Sequence, residues 1–401
     1  MTSGAIGGTR RAALLGAVAA TTVGPTARAA ASPARFAFVG TYTPNGGGIH
    51  GYRFDPADGR LTPIGVTDGI ENPSWLCVDP TRRRLFAVSE IGDQGKGVFG
   101  LAVSYAIGPD GVLTRLGAAS TAGAGPAHAS LHPSGRFLLV ANYLGGSVAV
   151  LPVGDDGVLK PASDVQVIAP EPRPAPANPP AGAPASGNFA VSDHSRPHMH
   201  MVASDRDGRF VLAADAGSDR LYAWRFDAGS GRLTPAATPW TPVAPGSAPR
   251  HFCFHPNGRL VYVLREHDSR IGCYHYDPRT GGLTAFDEVA TLPAGFAGGS
   301  LGSEIALSAD GRRLYAANRL RNTITVFEVS RSGALSRIGE TWTQGDYPRG
   351  FGLAPSGGWL VVCNQRSDSL STFRVGAAGT RLDFDGRFTP VGSPASIVFI
   401  A

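Results

Sequence analysis

Seven times along this chain, a short apolar strand runs into a small polar residue, a turn, a second apolar strand, and a Gly-x-Leu or close variant. The copies start at Phe36, Arg84, Phe137, Phe210, Leu260, Arg313 and Trp359, so the spacings are 48, 53, 73, 50, 53 and 46 residues. A repeat of roughly 40–50 residues with several strands per unit indicates a β-propeller. Each unit reads as four antiparallel strands. PRHFCFHP (249–256) typifies the first, GRLVYVL the second and IGCYHYD the third, and LTAFDEVATLP typifies the fourth. HPSGR (132–136) and HPNGR (255–259) supply the Pro and Gly that a tight turn between the first two strands requires. The Val-, Leu- and Phe-rich strands suit sheets buried on both faces between neighbours.

The fold class is therefore all-β, a seven-bladed propeller with four antiparallel strands per blade. The first copy lacks an innermost strand, and SPASIVFI (393–400) has no hairpin partner after it. The C-terminal strand is expected to complete the first blade, leaving no long open edge. The repeat also overrides the two or three domains that 401 residues suggest by length. One domain over 30–401 is expected. The long third spacing contains a Pro/Ala-rich stretch, 169–189, which reads as a surface excursion or as a lid over the segment that follows it.

Residues 1–29 have the form of an export signal. Arg10 and Arg11 precede the Ala-rich run AALLGAVAATTVG, and Ala27-Arg28-Ala29 fits a cleavage site. The arginine pair suggests the twin-arginine route, although the Phe of that pattern is missing. The apolar run is too short to span a membrane. The three arginines of this segment account for three of the five net positive charges, so the exported chain carries +2. That balance gives no reason to expect nucleic acid as a partner. Cys77, Cys253, Cys273 and Cys363 lie in apolar strands with no metal-ligand spacing, so buried free thiols are expected.

Function is sought where the copies disagree. The sixth residue of the second strand is Thr41, Ser89, Asn142, Asp215, Arg265, Asn318 or Asn364. Most of these are small and polar, as a strand-end turn needs. The next position varies in chemistry: Tyr42, Glu90, Tyr143, Ala216, Glu266, Arg319, Gln365. Aligned on their leading Pro or its equivalent, the innermost strands give Ser74, Ala127, His198, Arg250, Ser303, Arg349 and Ala395, followed by Trp75, His128, Met199, His251, Glu304, Gly350 and Ser396. RPHMHM (196–201) places His198 and His200 on one face of a strand. Innermost strands line the central channel, so these two sets of residues are expected to meet at one mouth. His198, His200, Arg250, Glu266 and Arg319 are the candidate catalytic residues. Tyr42, Glu90, His128, Tyr143, Arg349 and Gln365 are the candidate substrate-binding residues. Clustered guanidiniums would hold an anion or a developing oxyanion, and Glu266 or a His would move protons. His132 and His255 are assigned to turn structure. No ligand set accompanies the His pair, so no metal and no cofactor are expected. No nucleophile elbow, P-loop or dinucleotide fingerprint is present.

VGTYT (39–43), NPSWLCVDP, LHPSGRFLLVANY, PHMH, GSAPRHFCFHPNGRLVYVLRE, YAANR and YPRGF resemble, in order, the seven-bladed propeller lactonase family. That family spans propeller-type 6-phosphogluconolactonases and 3-carboxy-cis,cis-muconate cyclases. The resemblance covers nearly all of 36–401. It implies a His of the Pro197–His200 segment, Arg250, Glu266 and Arg319 as the acting groups. The chain departs from the family pattern in having Ala306 after Glu-Ile, where a His is common, and Arg265 before Glu266, where an Asn is common. The expected activity is lactone hydrolysis in the channel, with a small lactone or anionic sugar-acid-like ligand as partner. The alternatives are a carboxymuconate-type cycloisomerase and a non-enzymatic binding propeller. Export separates the chain from 6-phosphogluconolactone, a cytoplasmic metabolite. A monomer or simple homo-oligomer is expected.

Overall fold

The computed structural model describes Met1, Gly4, residues 36–79, residues 81–171, Ser192 and residues 194–400. The expected export segment 1–29, apart from Met1 and Gly4, and the 169–189 excursion beyond Glu171 lie outside these described residues. From Phe36 onward the chain forms seven four-stranded antiparallel sheets. Two 3-10 turns, Gln94–Lys96 and Gln365–Ser367, are the only helical elements among the described residues. Each innermost strand contacts the innermost strands of the sheets before and after it, and the series returns to its start. The sheets are thus the blades of a closed ring.

Closure occurs where the sequence places it. Pro394–Ile400 pairs antiparallel with Phe36–Thr41 and completes a blade with Ile49–Phe54 and Leu61–Thr67. The other innermost strands, in blade order, are Trp75–Asp79, Pro126–Leu131, Met199–Ser204, Pro249–Phe254, Leu301–Leu307 and Pro348–Leu353.

The core is divided into seven apolar layers, one at each blade interface. Phe38 and Leu76 meet between blades 1 and 2, for example, and Tyr315 and Phe373 between blades 6 and 7. Both faces of the inner strands are covered, which is why they read as continuous apolar runs. Truncating a fully buried Phe such as Phe38 to Ala costs about 3–5 kcal/mol.

The small polar residue that ends the second strand in six of the seven blades makes turn contacts. Asn142 Nδ2 donates to Thr121 O at 3.0 Å, and Asn364 Nδ2 to Thr343 O at 3.1 Å. Asp215 Oδ1 accepts from the backbone of His198, Gly217 and Ser218. The turn histidines also join blades. His132 Nε2 lies 2.9 Å from Gly208 O, and His255 Nε2 lies 3.1 Å from Gly311 O in the next blade's turn. Gly208 has φ +67°, and a Cβ there would stand 2.6 Å from the His132 ring, so both backbone and packing require glycine. All four cysteines are free thiols, with Cys273 and Cys363 fully buried.

Candidate active site at the channel mouth

The two variable positions do meet. Residues at the ends of second strands supply Glu90, Tyr143, Glu266 and Arg319 to one cavity of about 90 Å³. The innermost strands supply Ala127, His200 and Arg349, and Ser192 reaches in from the segment before blade 4.

Strand register explains how the innermost strands present these side chains. In six blades the innermost strand carries one extra residue just after the pairing with the second strand's polar end. The irregularities fall between Pro394 and Ser396, Pro126 and His128, Met199 and Met201, Pro249 and His251, Gly302 and Ile305, and Pro348 and Gly350. Five of them set out a single residue, Ala395, Ala127, His200, Arg250 and Arg349, and in the sixth Ser303 and Glu304 stand opposite Ala317. A bulge breaks the alternation of a strand and re-aims a side chain. In blade 4 the bulged residue is His200, two positions beyond the one that alignment on Pro197 selects.

His198 sits upstream of that bulge. Its backbone N–H donates to Asp215 Oδ1 at 2.7 Å, and its Nδ1 lies 3.1 Å from Tyr143 O. Its ring stacks on Tyr143 with centroids 4.4 Å apart. His198 therefore backs a cavity residue, whereas His200 lines the cavity itself. His128 lies behind the wall, 4.3 Å between centroids from Trp75. Gln365 begins a 3-10 turn, half-buried, and is not part of the lining. Tyr42 stands behind the lining as a bridge: its hydroxyl donates to Glu90 Oε2 at 2.5 Å and accepts from Arg349 Nη2.

Glu266 is the centre of charge. Arg319 Nη2 donates to its Oε1 at 2.8 Å, and Ser192 Oγ donates to its Oε2 at 2.9 Å. Arg250 Nε stands 4.0 Å from the same Oε2. All three members of this ion cluster are at most 3% exposed. Burial raises the Glu266 carboxyl, but Arg319 and Arg250 outweigh burial and bring it down to about 2. Glu266 is thus ionised at any physiological pH. His200 is pushed well below the usual imidazole range by burial, Arg250 and His251, so it is neutral. Buried atoms without a hydrogen-bond partner include Arg319 Nε and His200 Nδ1 of the lining, and Arg250 Nε and His128 Nδ1 outside it. Such atoms are rare in folded proteins.

Alignment on the sequence does not assign His251 and Glu304, although the structure ties both to Arg250. Glu304 is the one acid among its counterparts, whereas His251 shares its type with His128. No group of three or more His, Cys, Asp or Glu residues with metal-holding geometry occurs among the described residues.

A propeller channel mouth with paired guanidiniums, an ionised carboxylate and a neutral imidazole has the parts of an acyl-transfer site: oxyanion donors and a proton acceptor. The chain belongs to the lactonase family of seven-bladed propellers. Residues 36–399 match the family described as "Lactonase, 7-bladed beta-propeller". The 6-phosphogluconolactonase of Bacillus subtilis is 30% identical over 365 residues, covering 90% of this chain and 97% of the relative. The 6-phosphogluconolactonase of Formosa agariphila is 28% identical, covering 84% and 91%. Among solved structures, the periplasmic gluconolactonase of Pseudomonas aeruginosa superposes with TM-score 0.80 at 33% identity, covering 91% of this chain and 99% of that one. The chain is accordingly a lactone-hydrolysing enzyme of the carboxylic-ester hydrolase class. These relatives favour hydrolysis over cyclisation and over a non-enzymatic binding role.

Proposed function

We propose that the chain acts outside the cytoplasm as a metal-independent hydrolase of a polyhydroxylated lactone, with Arg250, Glu266, Arg319 and His200 as its acting groups. The observation that carries this reading is the buried Arg319–Glu266–Arg250 cluster, whose Arg319 and Glu266 line one cavity with the neutral imidazole of His200. Arg319 and Arg250 are donors for the oxyanion that develops when water adds to the lactone carbonyl. Removing one such donor typically costs roughly a hundred- to a thousand-fold in rate.

Glu266, with its carboxyl near 2, is a poor proton acceptor at neutral pH. Its role is to hold both guanidiniums and orient water. His200 is uncharged with an Nδ1 that has no hydrogen-bond partner, and on this reading it accepts the water's proton, with the ionised Glu266 of the same cavity offsetting the imidazolium that forms. The proton then passes to the ring oxygen as the acyl bond opens. His198 supports this arrangement through Tyr143, and His128 through the aromatic cluster that also contacts His251.

The substrate class follows from charge. Arg319 is paired with Glu266, and Arg349 stands 3.9 Å from Glu90 and is bridged to it by Tyr42. Arg250 is the one guanidinium in excess, enough for the single charge of the oxyanion or of the product carboxylate. Glu90 and Arg349 side by side offer an acceptor and a donor, as sugar hydroxyls require. Export through residues 1–29 fits this reading, and the P. aeruginosa neighbour is itself periplasmic.

The test is a panel of lactones assayed with and without chelator, using wild type, His200→Asn and Arg250→Ala. Wild-type turnover of at least one aldonolactone should survive the chelator and fall at least about a hundred-fold in each variant. Folded variants that keep wild-type rates would remove the assignment, and loss of wild-type activity with chelator would end the metal-free reading.

A further inference from the structure

Behind Arg250 lies a buried acid that the reaction does not touch. Arg250 Nη1 donates to Ser303 O and stands 3.3 Å from His251 Nε2. On the other side of the same ring, His251 Nδ1 lies 3.1 Å from Glu304 Oε1. Glu304 Oε1 also accepts the Ile305 N–H at 3.0 Å. Side-chain exposures are 2% for Arg250, 2% for His251 and 11% for Glu304.

The hydrogen-bond directions follow from the donors. A guanidinium only donates, so His251 Nε2 is the acceptor and the ring's proton sits on Nδ1, facing Glu304. Burial, with Arg250 and Arg349 next, pushes His251 well below the imidazole range and keeps it neutral. The ring cannot swing away, because it packs edge-on against Trp75, His128 and His200, with centroids 5.1–5.6 Å away.

We propose that His251 and Glu304 are positioning residues that hold the Arg250 guanidinium from behind, and that the charge on Glu304 sets how strongly Arg250 serves as an oxyanion donor. This rests on the reading of Arg250 given above. With Glu304 neutral, Arg250 directs its full charge at the cavity. When Glu304 ionises, a negative charge arises behind the guanidinium. The His251 ring is then polarised toward Glu304, Nε2 becomes a stronger acceptor, and Arg250 is drawn back from the substrate.

Three further groups face Glu304. Arg250 lowers its pKa, and the thiols of Cys253 and Cys363 are themselves pushed up by burial and by Glu304, so both stay neutral. Burial dominates and raises the Glu304 carboxyl to about 8, which puts its ionisation within the working range of an enzyme.

The experiment measures kcat and KM for glucono-1,5-lactone from about pH 6 to about pH 9, corrected for spontaneous hydrolysis, in wild type and Glu304→Gln. Wild-type kcat should fall through a midpoint near 8. Glu304→Gln, which keeps a neutral acceptor oxygen, should abolish that fall, with KM changed less than about threefold. An alkaline limb that persists in folded Glu304→Gln, or is missing from wild type, overturns the proposal.

Should Glu304→Gln fail to fold, His251→Asn decides. Its amide can still donate to Glu304, but its shorter side chain places no acceptor where Nε2 met Arg250. It should lower kcat about tenfold, leave KM within about threefold and lose the limb; wild-type kcat with the limb intact overturns the proposal. The two readings fail separately. An inert Arg250→Ala removes the site assignment, whereas an inactive Arg250→Ala beside an unaltered Glu304→Gln profile removes the positioning pair alone.

Discussion

Arg319 Nη2 lies 2.8 Å from Glu266 Oε1, with the arginine side chain 1% and the glutamate 3% exposed. A buried pair of this kind is a weak source of net stability, because desolvating two ions offsets most of their attraction. Breaking it from one side is costly, since the remaining charge is left without compensation. On the function proposed above, the pair would serve catalysis by fixing a guanidinium beside the cavity before substrate arrives.

Glu266→Gln and Arg319→Ala should therefore each lower unfolding free energy by about 3–5 kcal/mol, because each strands a buried charge. Both should reduce lactone turnover by at least about a hundred-fold. The double variant should be less destabilised than the sum of the two, by about 1–3 kcal/mol, since the second change removes the stranded partner. Urea titration of the four proteins measures the coupling, and strict additivity would show that the two side chains do not act as a pair.

The depressed Glu266 carboxyl also predicts an acid limb of stability. Its folded value is about 2, against an ordinary 4.5. Its contribution is therefore complete above 4.5 and is lost as pH falls toward 2. Thermal unfolding followed between these limits should show Tm dropping in wild type, with a shallower drop in Glu266→Gln. Equal slopes in the two proteins would count against the assignment.

Glu304 has the opposite sign. Its folded value of about 8 lies above the ordinary 4.5, so its contribution is complete below 4.5 and fades as pH rises through 8. Glu304→Gln should thus gain stability relative to wild type on going from about pH 5 to about pH 8.5. Denaturant midpoints at the two pH values measure this, and a constant difference between the proteins would refute it.

Glu90 should discriminate against a second negative charge. Wild type is expected to favour glucono-1,5-lactone over its 6-phosphate in kcat/KM by about tenfold or more, as one unfavourable like-charge contact implies. Glu90→Gln should narrow that ratio by about tenfold. A wild type that prefers the phosphate ester would show that Arg349 engages the phosphate despite Glu90.

The thiols give a check on the fold itself. With Cys273 and Cys363 fully buried, Cys77 and Cys253 half-buried in strands, and all four unpaired, the native protein should react slowly with a thiol reagent. The denatured protein should react at four sites without prior reduction. Fewer sites would reveal a disulfide.

Much of this molecule is legible in the chain because a propeller repeats its physics. Every blade needs the same apolar strands, the same Gly-bearing turns and the same polar strand end. Seven copies therefore state the architecture, and the strandless start with its unpaired C-terminal segment states how the ring closes. In four blades the position after that polar end lines the cavity at the channel mouth, which frees it from the demands of blade packing. This is why Glu90, Tyr143, Glu266 and Arg319 were all visible as departures. The Asn142, Asp215 and Asn364 side chains, by contrast, agree because each satisfies backbone groups at a turn.

The fold and its closure are readable from the chain alone, and so is the set of variable positions that meets at one cavity, since these follow from periodicity and from the contrast between constant and variable positions. The chain alone did not separate His198 from His200, because an alignment on proline counts residues and cannot see a bulge. It took the packed sheets, in which the innermost strands of six blades carry one extra residue, to set Ala127, His200, Arg250 and Arg349 at one register. The same packing joined Glu304 to Arg250 through His251, a contact between blades 5 and 6 across 53 residues of chain. Such a contact depends on how two sheets pack around the axis, and no local pattern in either strand encodes it.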